Sequence, residues 1–159
     1  MNRVIATALA ALIAAPALAD DGDAAKGEKL FGKCKACHSI ITDSGEVIVK
    51  GGRTGPDLYG VIGRQAGTFP DFKYGPDLVA AGEAGLIWNR KAFLEYVQDP
   101  RKFLQHHLDD KKAKSMMSFK LPKGGEDVYA YLTSLVPAPA DAPAEAPAEG
   151  TSEDKPASE

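Results

Sequence analysis

Two cysteines and the histidine that follows them are the residues of this sequence best suited to chemistry. Cys34 and Cys37 are the only cysteines of the chain, and His38 comes directly after the second one. This C-x-x-C-H spacing is the signature for covalent attachment of a c-type haem. Each thiol adds to one vinyl group, and the adjacent imidazole is then placed to bind the iron. The motif therefore predicts one haem c attached through both cysteines, with His38 as an iron ligand.

Other uses of the two cysteines fit the sequence less well. A disulfide between them would close a loop too short to stabilise a fold. A thioredoxin-like redox pair requires a βαβ setting, which the flanking sequence does not predict. A zinc site requires a second pair of ligands, and the chain has no further cysteines. A structural or metal-binding protein without haem stays an alternative, which the colour of the exported protein tests.

The second axial ligand of the iron decides what such a haem can do. A His or Met in that position suits electron transfer, whereas an open position permits gas binding or peroxide chemistry. Apart from Met1, the candidates are Met116, Met117, His106 and His107. The two histidines lie in a predicted surface loop rich in Lys and Asp. Composition does not separate the methionines, and a haem enzyme or gas sensor with a vacant site stays an alternative.

Three helices and a long glycine-rich segment are expected to position these residues. Apolar side chains recur at helical spacing in residues 23–33, 91–98 and 126–135. Asn89 is a suitable N-cap for the second helix, and Pro100 is expected to stop it. Residues 40–75 carry repeated turn signals instead. Loops of this kind make a poor core by themselves, so we expect an all-α fold in which the haem fills the centre.

The two ends of the chain differ from its middle. Residues 1–19 have a basic start, a short apolar run and an Ala-x-Ala end, which predicts a cleaved signal peptide and export to the periplasm. An uncleaved anchor is disfavoured, because the apolar run is shorter than the ~20 residues that span a bilayer. Residues 137–159 are rich in Pro, Ala and acids and are predicted to be a disordered tail. One domain is expected in residues 20–136.

The charge of the chain is divided between unlike parts. Of the 19 basic and 22 acidic residues, two basic and six acidic ones lie in the terminal segments, which leaves 17 and 16 in residues 20–136. Lysines cluster near the haem motif and near Met117: Lys33, Lys35, Lys111, Lys112, Lys114, Lys120 and Lys123. This cluster predicts a surface that steers docking onto acidic faces of redox proteins, although an ordinary solvated face is the alternative.

Six further segments accompany the C-x-x-C-H motif in a fixed order. They are GDAAKGEKLF (22–31), RTGPDLYG (53–60), GR (63–64), IW (87–88), EYVQDP (95–100) and KSMMSF (114–119). With them the chain resembles the class I c-type cytochromes, in particular the bacterial cytochrome c-two type close to mitochondrial cytochrome c. The similarity covers residues 22–135. It implies the small cytochrome c fold, with three main helices and long loops wrapped around one covalent haem.

The resemblance also assigns roles to individual residues. It implies that His38 and Met117 bind the iron and that the Pro56 carbonyl accepts a hydrogen bond from the far nitrogen of His38. The remaining contacts are expected from Tyr96 near the Met117 sulfur, from Arg64, Tyr74 and Trp88 at the buried haem propionate, and from Ser115 near the other propionate. Met117 is preferred to Met116 because Ser115 then lies two positions before the ligand and Phe119 two positions after it, as in the family.

Two more expectations follow from the resemblance. Gly27 and Phe31 should pack against Tyr131 where the two terminal helices cross. The family usually has Asn at the position of Asp57, and this difference puts the usual side-chain hydrogen bonds of that turn in question.

The function expected from these features is that of a monomeric, monohaem electron carrier of the periplasm and not that of an enzyme. Such a protein shuttles single electrons between respiratory or photosynthetic complexes. The expected partners are membrane and periplasmic redox proteins such as a bc-type complex, a reaction centre, an oxidase or a reductase. We expect contact with membranes only through these partners, and no binding of nucleic acid.

Overall fold

The computed structural model describes residues 22–136, so the predicted signal peptide and the predicted tail both lie outside the described residues. In this range five helices and one small hairpin follow one another. They are α1 (Ala24–Phe31), β1 (Ile40–Ile41), β2 (Val47–Val49), α2 (Pro76–Glu83), α3 (Arg90–Gln98), α4 (Pro100–His107) and α5 (Gly125–Ser134). None of the described helices is long and apolar enough to cross a membrane. The expected architecture of helices and long loops is confirmed, with two helices more than predicted.

The first and last helices cross at a close contact. A Cβ atom at Gly27 would lie 1.9 Å from the Asp127 carbonyl oxygen and 2.7 Å from the Tyr131 Cβ, so only glycine fits at this crossing. The ring of Phe31, which is almost fully buried, lies 5.7 Å from the ring of Tyr131. The predicted packing of Gly27 and Phe31 on Tyr131 is therefore confirmed, and it fixes α1 against α5 just before the two cysteines.

Helices α3 and α4 are separated by a single residue, Asp99. The Asn89 side chain accepts a hydrogen bond from the Ala92 amide at 2.9 Å, which confirms the predicted N-cap of α3. Pro100 ends α3 as expected, but it also begins α4. A proline suits that first position because its missing N–H has no partner there in any helix. The Asp99 carboxylate then caps α4 by accepting from the Lys102 amide at 3.1 Å.

The loop predicted for His106 and His107 is wrong, because both residues belong to the last turn of α4. Their expected position at the surface is confirmed, since both are exposed. The His107 ring stacks on the Phe103 ring one turn earlier, at 5.7 Å and an angle of 12°. Neither histidine lines the cavity described below, so neither is placed to act as the second iron ligand.

Two elements of the middle segment were not predicted. Strands β1 and β2 form a short antiparallel hairpin with a register irregularity between Ile40 and Ile41. Helix α2 begins at Pro76 and carries Asp77 in its first turn. The rest of residues 40–75 consists of turns and loops, as expected.

Aromatic side chains form much of the core between α3, α4 and the central cavity. Trp88 and Tyr96 meet edge to face at 4.8 Å, and Phe103 lies 5.7 Å from Tyr96. Trp88 and Tyr96 are both 8 % exposed. Trp88 and Tyr96 of this cluster also form part of the cavity wall.

Candidate functional site

The described residues enclose a cavity of about 340 Å³ between the helices and the long loops. Its wall includes the segment after α1, the loop before Leu58, the aromatic cluster, the inner side of α5 and the loop between α4 and α5. All ten residues assigned to the site from the sequence line this one cavity. They are Cys34, Cys37, His38, Pro56, Arg64, Tyr74, Trp88, Tyr96, Ser115 and Met117. The fold thus brings together residues that are up to 83 positions apart in the sequence.

The two cysteines lie in turns that continue from the end of α1. The Cys34 amide donates to the Phe31 carbonyl at 2.8 Å, and the amides of Cys37 and His38 both donate to the Cys34 carbonyl at 3.0 Å. Cys34 is half-buried and Cys37 is exposed. Burial is the main cause that raises the pKa of Cys34, with the neighbouring Cys37 as a second cause. The turns present both thiols and the imidazole to the cavity from one short segment.

The imidazole of His38 forms a hydrogen bond with the Pro56 carbonyl and packs against the backbone of Gly55. Its Nδ1 donates to the Pro56 carbonyl at 2.8 Å, so the proton lies on Nδ1 and Nε2 is left with a free lone pair. Burial lowers the pKa of His38, while the Pro56 bond and the nearby Asp57 act in the opposite direction. The ring is therefore neutral at neutral pH, which is the form that binds a metal.

Gly55 lies directly against the His38 ring. A Cβ atom at this glycine would lie 2.4 Å from Cε1, 2.6 Å from Nδ1 and 2.8 Å from Nε2. Real Cβ atoms keep about 3.4 Å or more from their neighbours. The Thr-Gly-Pro turn thus provides both the acceptor that orients the imidazole and the space that the imidazole occupies.

Asp57 is the one buried acidic side chain in the described part of the chain, at 8 % exposure. Its carboxylate accepts hydrogen bonds from the Ser39 hydroxyl at 2.6 Å and from the Tyr59 amide at 2.9 Å. Both carboxylate oxygens of Asp57 thus have a donor, so the turn keeps side-chain hydrogen bonds although it has Asp where the family usually has Asn. Ser39 was not predicted as a partner. Its contact links the residue after His38 to the residue after Pro56, and so it supports the turn that orients the imidazole.

The loop between α4 and α5 contributes two adjacent methionines to the wall. Met116 is 70 % exposed, whereas Met117 is half-buried and packs against the core. The Ser115 hydroxyl accepts from the Met117 amide at 3.1 Å and lies 3.2 Å from the Tyr96 hydroxyl. Burial, the larger effect, raises the pKa of Tyr96, and the Ser115 bond acts against it, so the phenol stays neutral.

Tyr96 and Ser115 make a contact with each other that the sequence does not predict. Tyr96 was expected near the Met117 sulfur and Ser115 near a haem propionate. The hydroxyls of these two residues lie within hydrogen-bond distance of each other, and Ser115 also accepts from the Met117 amide. Both earlier expectations stay predictions, since this contact contradicts neither of them. Tyr96, Ser115 and Met117 all line the cavity, but their spacing in the sequence does not reveal that they form one hydrogen-bonded group.

Arg64, Tyr74 and Trp88 supply polar groups to the cavity wall. The Arg64 guanidinium donates to the Tyr59 carbonyl and lies over the Phe69 ring at 5.0 Å. Burial lowers the pKa of Arg64, partly offset by Tyr74, and burial raises the pKa of Tyr74. A cationic guanidinium beside a neutral phenol is a suitable environment for a carboxylate.

The donor set of the cavity fits the haem that the motif predicts. Two thiols at C-x-x-C spacing and a neutral imidazole with a free Nε2 lie on one part of the wall, and the thioether of Met117 lies on another. Between them the wall is mainly apolar, as a porphyrin requires, and Arg64 can pair with a propionate. Within residues 22–136 there is no group of three or more His, Cys, Asp or Glu side chains that could hold a metal ion without a macrocycle.

Comparisons with known proteins agree with this fit. The chain is 61% identical over 135 residues to cytochrome c-551 of Roseobacter denitrificans, which covers 85% of this chain and 96% of that protein. It is 60% identical over 136 residues to cytochrome c2 of Rhodobacter capsulatus, which covers 86% of this chain and 98% of that protein. The crystal structure of the Rhodobacter capsulatus protein superposes with a TM-score of 0.70, at 61% identity, over 72% of this chain and 98% of that one. No family model matches the chain.

Proposed function

Because the chain belongs to the class I c-type cytochromes, in the group of cytochromes c2, c-550 and c-551, we propose that it shuttles single electrons in the periplasm with His38 and Met117 as axial iron ligands. Family membership gives the chain one covalent haem c, attached through Cys34 and Cys37, and the general role of an electron carrier. The ligand pair, the compartment and the partners are the proposed part.

The haem, when bound, supplies the one-electron couple of its iron, and the residues of the chain adjust that couple and protect it. The Pro56 carbonyl holds the His38 ring in the tautomer whose Nε2 faces away from the hydrogen bond. A thioether ligand is soft and favours the reduced state, which raises the potential. If His38 and Met117 both hold the iron, no position is left for a substrate, and the haem would supply electron transfer alone.

The difference in burial between the two methionines carries the choice of Met117. Met116 is 70 % exposed, and its Cγ and Sδ lie against Gly75 at the edge of the cavity, where an added Cβ would come within 3.0 Å of Cγ. Met117 instead packs with the buried core, and its amide is held by Ser115. A side chain that is mostly in water cannot shield an iron from external ligands, whereas a half-buried one can.

Single substitutions at the two methionines test this assignment, each serving as the control for the other. Met117→Ala is expected to abolish the weak near-red absorption of a ferric Met–haem bond, to lower the potential and to let the ferrous protein bind carbon monoxide. Met116→Ala should leave all three unchanged and cost ~1 kcal/mol of stability or less. Loss of the near-red band in Met116→Ala would reverse the assignment. A wild-type ferrous protein that binds carbon monoxide would favour a sensor or an enzyme instead.

A basic surface near the cavity supports the proposed docking to acidic redox partners such as a bc-type complex, a reaction centre, an oxidase or a reductase. All seven lysines of the predicted cluster are exposed, and Lys33 and Lys114 are among the residues that line the cavity. Lys120 differs from the others, because its ammonium group pairs with Asp99 at 2.6 Å. The cluster available for steering therefore consists mainly of the other six lysines.

A further inference from the structure

The segment that carries the proposed sixth ligand has no regular secondary structure. Residues 108–124 join α4 to α5 through turns and extended backbone. Such a segment opens more easily than a helix, because few backbone hydrogen bonds within it must break. The position of Met117 must therefore be fixed by contacts that the segment makes with other elements. We call residues 114–121 of this segment the methionine loop.

One end of the methionine loop is held by a carboxylate of α2. The Lys114 amide donates to Oδ2 of Asp77 at 2.7 Å, which joins residues 37 positions apart. Asp77 lies in the first turn of α2, so its backbone is fixed by a helix. A charged acceptor makes a backbone hydrogen bond stronger than a neutral one does.

The hydrogen bonds continue from this point to the ligand. Ser115 follows Lys114 directly, and its hydroxyl contacts Tyr96 on α3 and accepts from the Met117 amide. Two contacts from different helices, at Asp77 and at Tyr96, thus fix the four residues that end at Met117. The far end of the loop is attached to α3 by the Leu121 amide, which donates to the Val97 carbonyl at 2.7 Å.

We propose that Asp77 is a positioning residue for the sixth ligand: its carboxylate clamps the methionine loop and thereby keeps the iron closed to external ligands. This inference rests on the proposed ligation by Met117. An external ligand such as imidazole reaches the iron only from the open form of the loop. Its apparent affinity is therefore the intrinsic affinity multiplied by the open fraction, and loss of the clamp raises that fraction.

Asp127 provides a matched control for the Asp77 contact. Its carboxylate also accepts a hydrogen bond from a distant backbone amide, that of Asp23, at 2.8 Å and across 104 positions. That bond joins α5 to the start of α1, and Asp127 is not among the residues that line the cavity. Removal of either carboxylate costs the protein one backbone-to-carboxylate bond, but only Asp77 touches the methionine loop.

Imidazole titration of the ferric holoprotein, followed by its visible spectrum, tests the proposal. Asp77→Ala should bind imidazole about fivefold more tightly than wild type, as expected when a partly exposed charge-assisted hydrogen bond is lost. Asp77→Asn, which keeps an acceptor oxygen, should recover most of the wild-type affinity. Asp127→Ala should match wild type in imidazole affinity even though it unfolds at a lower temperature. In hydrogen exchange, the Lys114 amide should lose protection in Asp77→Ala only.

The possible outcomes separate this inference from the proposed function. Equal imidazole affinities of wild type and Asp77→Ala, or an equal increase in Asp127→Ala, would overturn the clamp and leave Met117 as the ligand. Without imidazole, Asp77→Ala should keep the near-red band, because the Met–iron bond remains and only its opening becomes easier. A wild-type protein without that band would overturn the proposed ligation and the clamp together.

Discussion

The close contact between Gly55 and the His38 ring allows a sharp test of how the imidazole is held. In Gly55→Ala the new methyl group would lie 2.4 Å from Cε1, 2.6 Å from Nδ1 and 2.8 Å from Nε2. To restore an ordinary separation of about 3.4 Å, the ring or the turn must move by roughly 1 Å, since close-packed interiors leave no spare volume. All three atoms that the methyl group would meet belong to the His38 ring, so the ring is displaced relative to the turn that holds it.

A displacement of this size breaks the hydrogen bond that orients the imidazole. The His38 to Pro56 distance of 2.8 Å would rise beyond the ~3.2 Å limit of a good hydrogen bond. The lost bond and the strain together should cost about 2–4 kcal/mol of stability. The potential should rise by tens of millivolts, because an imidazole without its acceptor is a weaker donor to the oxidised iron, and ~1 kcal/mol corresponds to about 40 mV for one electron.

Redox titration and urea unfolding of the holoprotein measure the two effects. Gly32→Ala is the control, because Gly32 has an αR backbone that alanine accepts, and its added Cβ would meet only the Lys29 carbonyl at 3.1 Å. We expect Gly32→Ala to keep the wild-type potential. If Gly55→Ala has the stability and the potential of Gly32→Ala, the tight contact does not orient the ligand and the reasoning is refuted.

Three further predictions concern the surface and the termini. Truncation after Val136 should leave the haem spectrum unchanged and the melting temperature within a degree, as measured by thermal unfolding; a loss of several degrees would show that residues 137–159 pack on the domain. The Lys120 hydrogen bond is the main cause that lowers the pKa of Asp99. A carboxyl group whose pKa is lower in the folded than in the unfolded state stabilises the protein at pH values above its unfolded-state pKa of ~4. This stabilisation is lost as the pH falls from there through the folded-state pKa. Asp99→Asn keeps a good N-cap, so this variant should show a smaller difference in melting temperature between pH 7 and pH 3 than wild type does. An unchanged difference would show that the Asp99–Lys120 pair does not contribute to stability. The rate of electron transfer to an acidic partner should fall as salt rises from 0.1 M to 1 M, because the Debye length falls from ~10 Å to ~3 Å. The charge reversals Lys33→Glu and Lys112→Glu should also lower this rate, whereas the control Lys91→Glu on α3 should not. A rate that does not depend on salt would contradict electrostatic steering.

The elements that could be predicted from the sequence are those with one buried face. Helices α1, α3 and α5 bury apolar residues at helical spacing, such as Phe31, Phe93 and Val128, and this periodicity is visible in the sequence. Helix α4 was missed because Pro100 was interpreted only as a stop, although the aspartate before it is a good cap for a new helix. The hairpin has little alternation to detect, since Val47 and Ile48 are both exposed.

The residues of the site were easier to predict than their contacts. A motif fixes which side chains surround a cofactor, because the chemistry requires those types at those spacings. The Asp77–Lys114 and Ser39–Asp57 bonds join residues that are 37 and 18 positions apart. No local signal indicates such a pair, since its formation depends on how the loops fold back. The grouping of Tyr96 with Ser115 was missed for the same reason.

The irregular register of the β1–β2 hairpin bears on how the protein behaves when it is concentrated. Within residues 22–136 no further strand pairs with either outer edge of this sheet, and Val47, at 55 % exposure, presents an apolar side chain there. A flat edge of this kind is a template for strand addition by another copy. The slip between Ile40 and Ile41 increases the local twist and spoils that template. An electron carrier that must stay free to meet redox proteins, as proposed above, benefits from an edge that does not pair with other copies of itself.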